Sequence, residues 1–211
     1  MSDGYNKRRS GNRKEYKTLI LVCEGEKTEP IYFNHYKERR SGLRILTPNS
    51  TVTDPENLVN FALRQIKKYD LDIGYGDQVW CVFDADGNKK ENIEKAKALA
   101  GNKVKLCLSN PCFELWYLLH FYYFDNKTST AEVQQKLNRY IKNYDKTKDY
   151  FDLLISNREK AIKNSKKVNN KHFDNGMKSI LDINSNPSTQ VHEIVEYILN
   201  TIKENKNEST N

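Results

Sequence analysis

Over the first 125 residues, short apolar runs alternate with amphipathic stretches. TLILVC at 18–23, QVWCVF at 78–83 and VKLCL at 104–108 are rich in β-branched, aromatic and cysteine side chains and lack a clean in–out alternation. A strand with one wet face alternates with period two, so continuous apolar runs of this length predict strands covered on both faces. A weaker strand is expected at 43–46. Segments 30–39, 54–69, 89–99 and 112–124 read as helices from their apolar spacing. Strand and helix take turns four times, which predicts an α/β fold with a parallel sheet flanked by helices in three layers.

Beyond residue 125 the pattern turns helical, over 130–144, 150–167 and 187–204, with no strand signal of comparable quality. The expected organisation is a flexible basic arm at 1–16, an α/β domain at 17–125, a basic helical appendage packed on it at 126–204, and a frayed polar tail at 205–211.

Charge adds a partner class. The 211 residues hold 35 Lys and Arg against 28 Asp and Glu, a net charge of +7. Residues 139–171 hold ten basic against four acidic residues, and residues 1–18 hold six against two. These two surpluses exceed the whole, so the α/β part is slightly acidic and polyanions are expected on the basic segments. The longest apolar stretch, 115–124, is about half the roughly 20 residues that cross a bilayer and is interrupted by His120. The first 17 residues lack the apolar segment of a secretory signal. A cytoplasmic protein without a membrane partner is expected. Cys23, Cys81, Cys107 and Cys112 show no CxxC spacing and read as reduced core residues.

In an open parallel sheet, ligands bind outside the carboxyl ends of the strands. Glu24 follows the first strand, with Gly25 to permit a tight turn and Thr28 or Glu29 before Pro30 to open a helix. Asp84 and Asp86 end the third, and an extended tip points both the same way. After the fourth, Ser109 or Asn110 can cap a helix whose first turn contains Pro111 and Glu114. Glu114 alone is explained by the helix dipole. Four carboxylates on separate loops at one sheet edge repel without a cation, and oxygen ligands suit Mg²⁺ or Mn²⁺.

Other readings fail on their residues. An EF-hand starting at Asp84 would need Gly at Lys89 and Glu at Lys95. No GxxxxGK[ST] occurs, and Gly74-Tyr75-Gly76 is no dinucleotide fingerprint. A phosphatase of the haloacid-dehalogenase type carries its DxD after the first strand rather than the third. His35, His120, His172 and His192 show no ligand spacing, and His120 reads as a core partner of Trp116.

The stretches LVCEGEKTEPIYF at 21–33, FDADG at 83–87 and SNPCFELW at 109–116, continuing to His120-Phe121, resemble the RloB family of prokaryotic proteins. YDKTK at 144–148, Ala161-Ile162-Lys163 and NPSTQVH at 186–192 extend the resemblance over most of residues 17–200. It implies a Toprim-like fold, the α/β domain of topoisomerases, DnaG-type primases and OLD-type nucleases. It further implies Mg²⁺ or Mn²⁺ held by Glu24, Asp84 and Asp86, with Glu114 part of the RloB pattern rather than the general one. Where many Toprim nucleases have a second acid four residues after the first, this chain has Thr28, with Glu29 one place later. The context implied is antiphage defence beside an AAA-type ATPase.

The expected function is a metal-dependent nuclease acting on RNA, tRNA included, or DNA. Glu24 and Glu114 would serve at the reacting centre and Lys146 would steady the phosphorane or leaving oxygen. Lys27, Lys142, Lys148, Arg158, Lys163 and Lys167 would grip the nucleic-acid backbone. The competing expectation is a non-catalytic module that regulates the ATPase partner, with lysines that are only a solvated face. A homo-oligomer is compatible with either.

Overall fold

The computed structural model describes residues 16–37 and 41–208; the expected arm lies outside them, apart from Tyr16. The continuous apolar runs form the middle of the sheet. β1 (Lys17–Cys23), β2 (Leu43–Leu46), β3 (Gln78–Asp84) and β4 (Lys105–Asn110) are all parallel, as expected. β5 (Ser188–Thr189) completes the order β2-β1-β3-β4-β5 and runs antiparallel, pairing Ser109 with Thr189 and Asn110 with Ser188. This strand corrects the expectation of none beyond residue 125. Two polar residues carry no apolar signal; they form a strand because the end of β4 offers backbone groups that need partners. Asn169 holds them, donating from Nδ2 to the Thr189 carbonyl at 2.9 Å and accepting the Thr189 N–H at 3.3 Å.

Successive strand residues point to opposite faces, which gives two cores. On one face Ile20, Val22, Cys81 and Phe83 meet α2 (Pro55–Lys68) and α3 (Lys90–Ala100) through Leu58, Ala62 and Ile93. On the other, Leu19, Leu21 and Val82 meet α1 (Thr28–Asn34) and α4 (Glu114–Phe121). α4 is buried all round from Glu114 to His120, so it needs a second apolar layer. α5 (Thr130–Leu137), α7 (Arg158–Asp174) and α8 (Val191–Glu208) supply it with Val133, Leu137, Ala161, Ile194 and Val195, all in the same cluster. All four cysteines are free and buried.

Three local expectations change. The helix expected over 150–167 breaks at Ser156-Asn157 into α6 (Phe151–Ile155) and α7, and Asn157 precedes α7 without a side-chain capping bond. α7 then runs on to Asp174. The tail is helical through Glu208 rather than frayed from residue 205, and Asn205 donates to the Ser41 carbonyl at 3.2 Å. Ser109 and Asn110 do not cap α4: as β4 residues, they are taken by the Thr189 hydroxyl and the Ile183 carbonyl. No helix among the described residues is long and apolar enough to cross a membrane.

Candidate functional site

The chain leaves β1 toward β2 on one side and crosses to β3 on the other, so a crevice opens outside the carboxyl ends of β1 and β3. There a cavity of about 370 Å³ is lined by six carboxylates, Glu24, Glu26, Glu29, Asp84, Asp86 and Glu114, and by two lysines, Lys27 and Lys146. Glu24, Asp84, Asp86 and Glu114, picked out by their positions after strands, thus share one cavity.

Glu24 stands at the tip of β1, where its N–H donates to the Val82 carbonyl and continues the ladder. Its Oε2 accepts the Asp84 N–H at 3.0 Å, and its Oε1 accepts from Asn88 Nδ2 at 3.5 Å. Burial raises its pKa and these bonds offset part of the rise. Asp84 ends β3, Ala85 turns into the core, and Asp86 faces the cavity again. Burial, then the charges of Glu29, Glu114 and Glu24, push the Asp84 carboxyl well above its ordinary range. Asp86 is exposed and accepts from Thr130 Oγ1 at 2.7 Å.

Glu29, in the first turn of α1, is only 6% exposed. Burial is the main cause, with Glu114 and Glu24 adding to it, of a pKa raised to about 7 despite backbone hydrogen bonds. Its Oε1 accepts the Gly25 N–H at 3.3 Å, and a Cβ on residue 25 would lie 2.3 Å from Oε2. Glycine lets the turn come this close.

Glu114 opens α4 and is almost completely buried. It accepts from the Tyr144 hydroxyl at 3.2 Å and pairs with Lys146 Nζ at 3.3 Å. Burial works against the lysine charge, but Glu114 outweighs it and raises the Lys146 pKa. The turn bearing Lys146 is fastened to α1 twice, by Thr28 Oγ1 donating to the Lys146 carbonyl at 3.2 Å and by His35 bonding Asp149 while stacking on Phe151. Thr28 therefore spends its hydroxyl on this turn and does not cap α1.

Of the lysines and arginine assigned to backbone grip, only Lys27 lines the cavity. Lys142, Lys148 and Lys163 are exposed elsewhere, and Lys167 sits over the Tyr123 ring at 4.1 Å. Arg158 is turned inward, its Nε buried without a hydrogen bond, beside Tyr36 and His120. His120 packs edge-on to Trp116, and its Nδ1 lies 2.9 Å from the Trp116 carbonyl, the core role expected for it. Sequence reasoning assigned no catalytic or metal-binding role to Glu29, Tyr144, Asn88 or Thr130. Only Glu29 left a signal, an acid displaced by one position from an expected one.

The donors are carboxylate oxygens on three loops, the hard set that suits Mg²⁺ or Mn²⁺. Protonation of Asp84 and Glu29 is the alternative way to relieve their crowding. As they stand, no three His, Cys, Asp or Glu side chains among the described residues are arranged to hold an ion. The donor chemistry fits a divalent cation, and Glu24 and Lys146 hold the places where rearrangement would occur.

A family model described as RloB-like protein matches residues 19–198. Comparison with curated proteins and with solved structures gives no match.

Proposed function

This chain belongs to the RloB-like family, and from its acidic cavity we propose that it is a divalent-metal-dependent nuclease with a Toprim-like arrangement of Glu24, Asp84 and Asp86. One observation carries this: carboxylates from separate loops converge on one cavity at the sheet's switch point, where burial first and their mutual charge second drive Glu29 and Asp84 toward their protonated forms. Such crowding is costly for a structural role and useful for cation-assisted phosphodiester chemistry.

Glu24, Asp84 and Asp86 would hold the ion. Once bound, Mg²⁺ or Mn²⁺ supplies charge neutralisation at the scissile phosphate and a more acidic water. Glu24 lies near enough to the DxD to accept a proton, and Glu29 with a pKa of about 7 can pass one on near neutrality. Lys146, held on the rim by Glu114 and by Thr28, offers positive charge to a pentavalent phosphate or a leaving oxygen. The exposed lysines of the 142–167 region supply sequence-independent attraction for RNA or DNA. An antiphage role with an AAA-type ATPase partner, in the cytoplasm, completes the reading.

One observation favours a non-catalytic regulatory module: Lys146 already neutralises Glu114, as an internal counter-ion would. The test incubates purified protein with tRNA, single-stranded RNA and plasmid DNA in Mg²⁺, Mn²⁺ or EDTA, with and without the neighbouring ATPase. Metal-dependent cleavage reduced at least about 100-fold in both Glu24→Ala and Asp84→Asn is expected. Binding without cleavage in every condition overturns the nuclease reading.

A further inference from the structure

Beside the acidic cavity lies a second one of about 230 Å³, formed by the loops that leave β1 and β2. The two share the wall Gly25-Glu26-Lys27. We propose that the second cavity is a nucleotide subsite, holding the nucleoside unit next to the scissile phosphate of a polynucleotide. This rests on the nuclease reading and adds a site for the substrate's neighbouring residue.

The chemistry of the two cavities differs sharply. The first is crowded with carboxylates; the second has Glu26 of the shared wall as its sole acid. Leu21 and Cys23 on its wall are core residues, and the partly exposed Pro30 and Pro48 give it an apolar surface on which a flat ring or sugar can lie. The β2 loop is fixed by its own hydroxyls. Thr47 Oγ1 donates to Asn34 Oδ1 and accepts from Lys37 Nζ, both at 2.9 Å, and Ser50 Oγ accepts the Val52 N–H at 3.1 Å.

Asn49 and Thr51 on that fixed loop are exposed, and among the described residues they have no hydrogen-bonding partner. An amide with both donor and acceptor, sharing one cavity with a hydroxyl and two proline rings, is suited to a base edge or a sugar hydroxyl. Lys27 lines both cavities and likewise lacks an ion-pair partner among the described residues. A polynucleotide crossing the wall brings a backbone phosphate to it. The volume, below the roughly 300–1,000 Å³ of drug-sized pockets, fits one such unit rather than a folded ligand.

The test titrates ¹⁵N-labelled full-length protein in Mg²⁺ with uridine 5′-monophosphate and, separately, deoxyuridine 5′-monophosphate. Expected are saturable shifts in the amides of residues 25–27, 47 and 49–51 and in the Asn49 side chain, with binding about tenfold weaker in Asn49→Ala/Thr51→Val. A response to both nucleotides assigns the contacts to base and phosphate, and one restricted to the ribonucleotide assigns a contact to the 2′-hydroxyl; either supports the subsite. Shifts confined to the acidic cavity or to the α7 lysines, or an unchanged affinity in the double variant, overturn it. Mn²⁺ uptake by calorimetry keeps the two readings apart. Nucleotide shifts without Mn²⁺ uptake leave the subsite and remove the nuclease. Metal-dependent cleavage with KM and cut position unchanged in the double variant does the reverse.

Discussion

Glu29 shows how one buried acid couples the site to stability. Its carboxyl titrates near the ordinary 4.5 when the chain is unfolded and near 7 when folded. Between those values the folded state binds more protons, so stability falls as pH rises through the window and the loss is complete above it. The shift corresponds to about 3 kcal/mol at most. Glu29→Gln should raise the urea midpoint at pH 8, leave it nearly unchanged at pH 4.5, and flatten the dependence between; an equal effect at both pH values would contradict this account. Lys146→Met leaves Glu114 buried with the Tyr144 hydroxyl but without its counter-charge. Because the lysine is half-exposed and screened, a cost of about 1 kcal/mol is expected in denaturant melts, well below that of a fully buried pair. Glu24 and the DxD were legible because strand ends are marked by where apolar runs stop. Glu29 was not, since an acid in a first helical turn carries its own sufficient explanation in the dipole, and the charge of Glu114 that adds to its raised pKa comes from 85 positions away.

At the scale of elements, the edge of β4 is secured by very little. β5 is two residues long and is clipped to α7 by the two Asn169 hydrogen bonds. Asn169→Leu leaves the Thr189 N–H buried without its partner and the Thr189 carbonyl with His192 Nδ1 alone, 3.2 Å away, and a loss of about 1–2 kcal/mol is expected, with faster amide exchange at Thr189 than elsewhere in the sheet. Uniform exchange would show that the clip does not hold the strand. Asp54 caps α2, accepting the Asn57 N–H at 3.0 Å, so Asp54→Ala should cost about 1 kcal/mol in thermal melts. The four parallel strands were legible because each is an apolar run bounded by polar residues. β5 was not, because a pairing partner rather than hydrophobic period decides it, and nothing in the apolar spacing marks the break at Ser156-Asn157. The fastening of residues 144–149 to α1 and α4 is equally invisible along the chain, being made by Thr28, His35 and Glu114.

Across the whole molecule, charge is segregated. The net charge is +7, yet the cavity at the sheet edge gathers six carboxylates. On the proposed reading, a polyanion would be drawn to the outer lysines and repelled from the cavity unless a cation were present, which would couple substrate approach to metal. The outer lysines are not equivalent: Lys166 pairs with Glu196 at 2.5 Å and Lys171 with Asp125 at 2.8 Å, while Lys142 and Lys163 have no ion pair among the described residues. Replacing Lys142 or Lys163 by Ala should reduce the slope of log K against log salt by roughly 0.7–0.9 each, with a smaller change at Lys166 or Lys171. Equal slopes for all four would place the nucleic acid elsewhere. The most direct test of the central claim is an anomalous difference map from a crystal grown with Mn²⁺. The account predicts a peak bridging Glu24, Asp84 and Asp86, with Glu24 swung off the Asp84 N–H; no peak in that cavity, with Glu24 still on that N–H and Lys146 on Glu114, would contradict it.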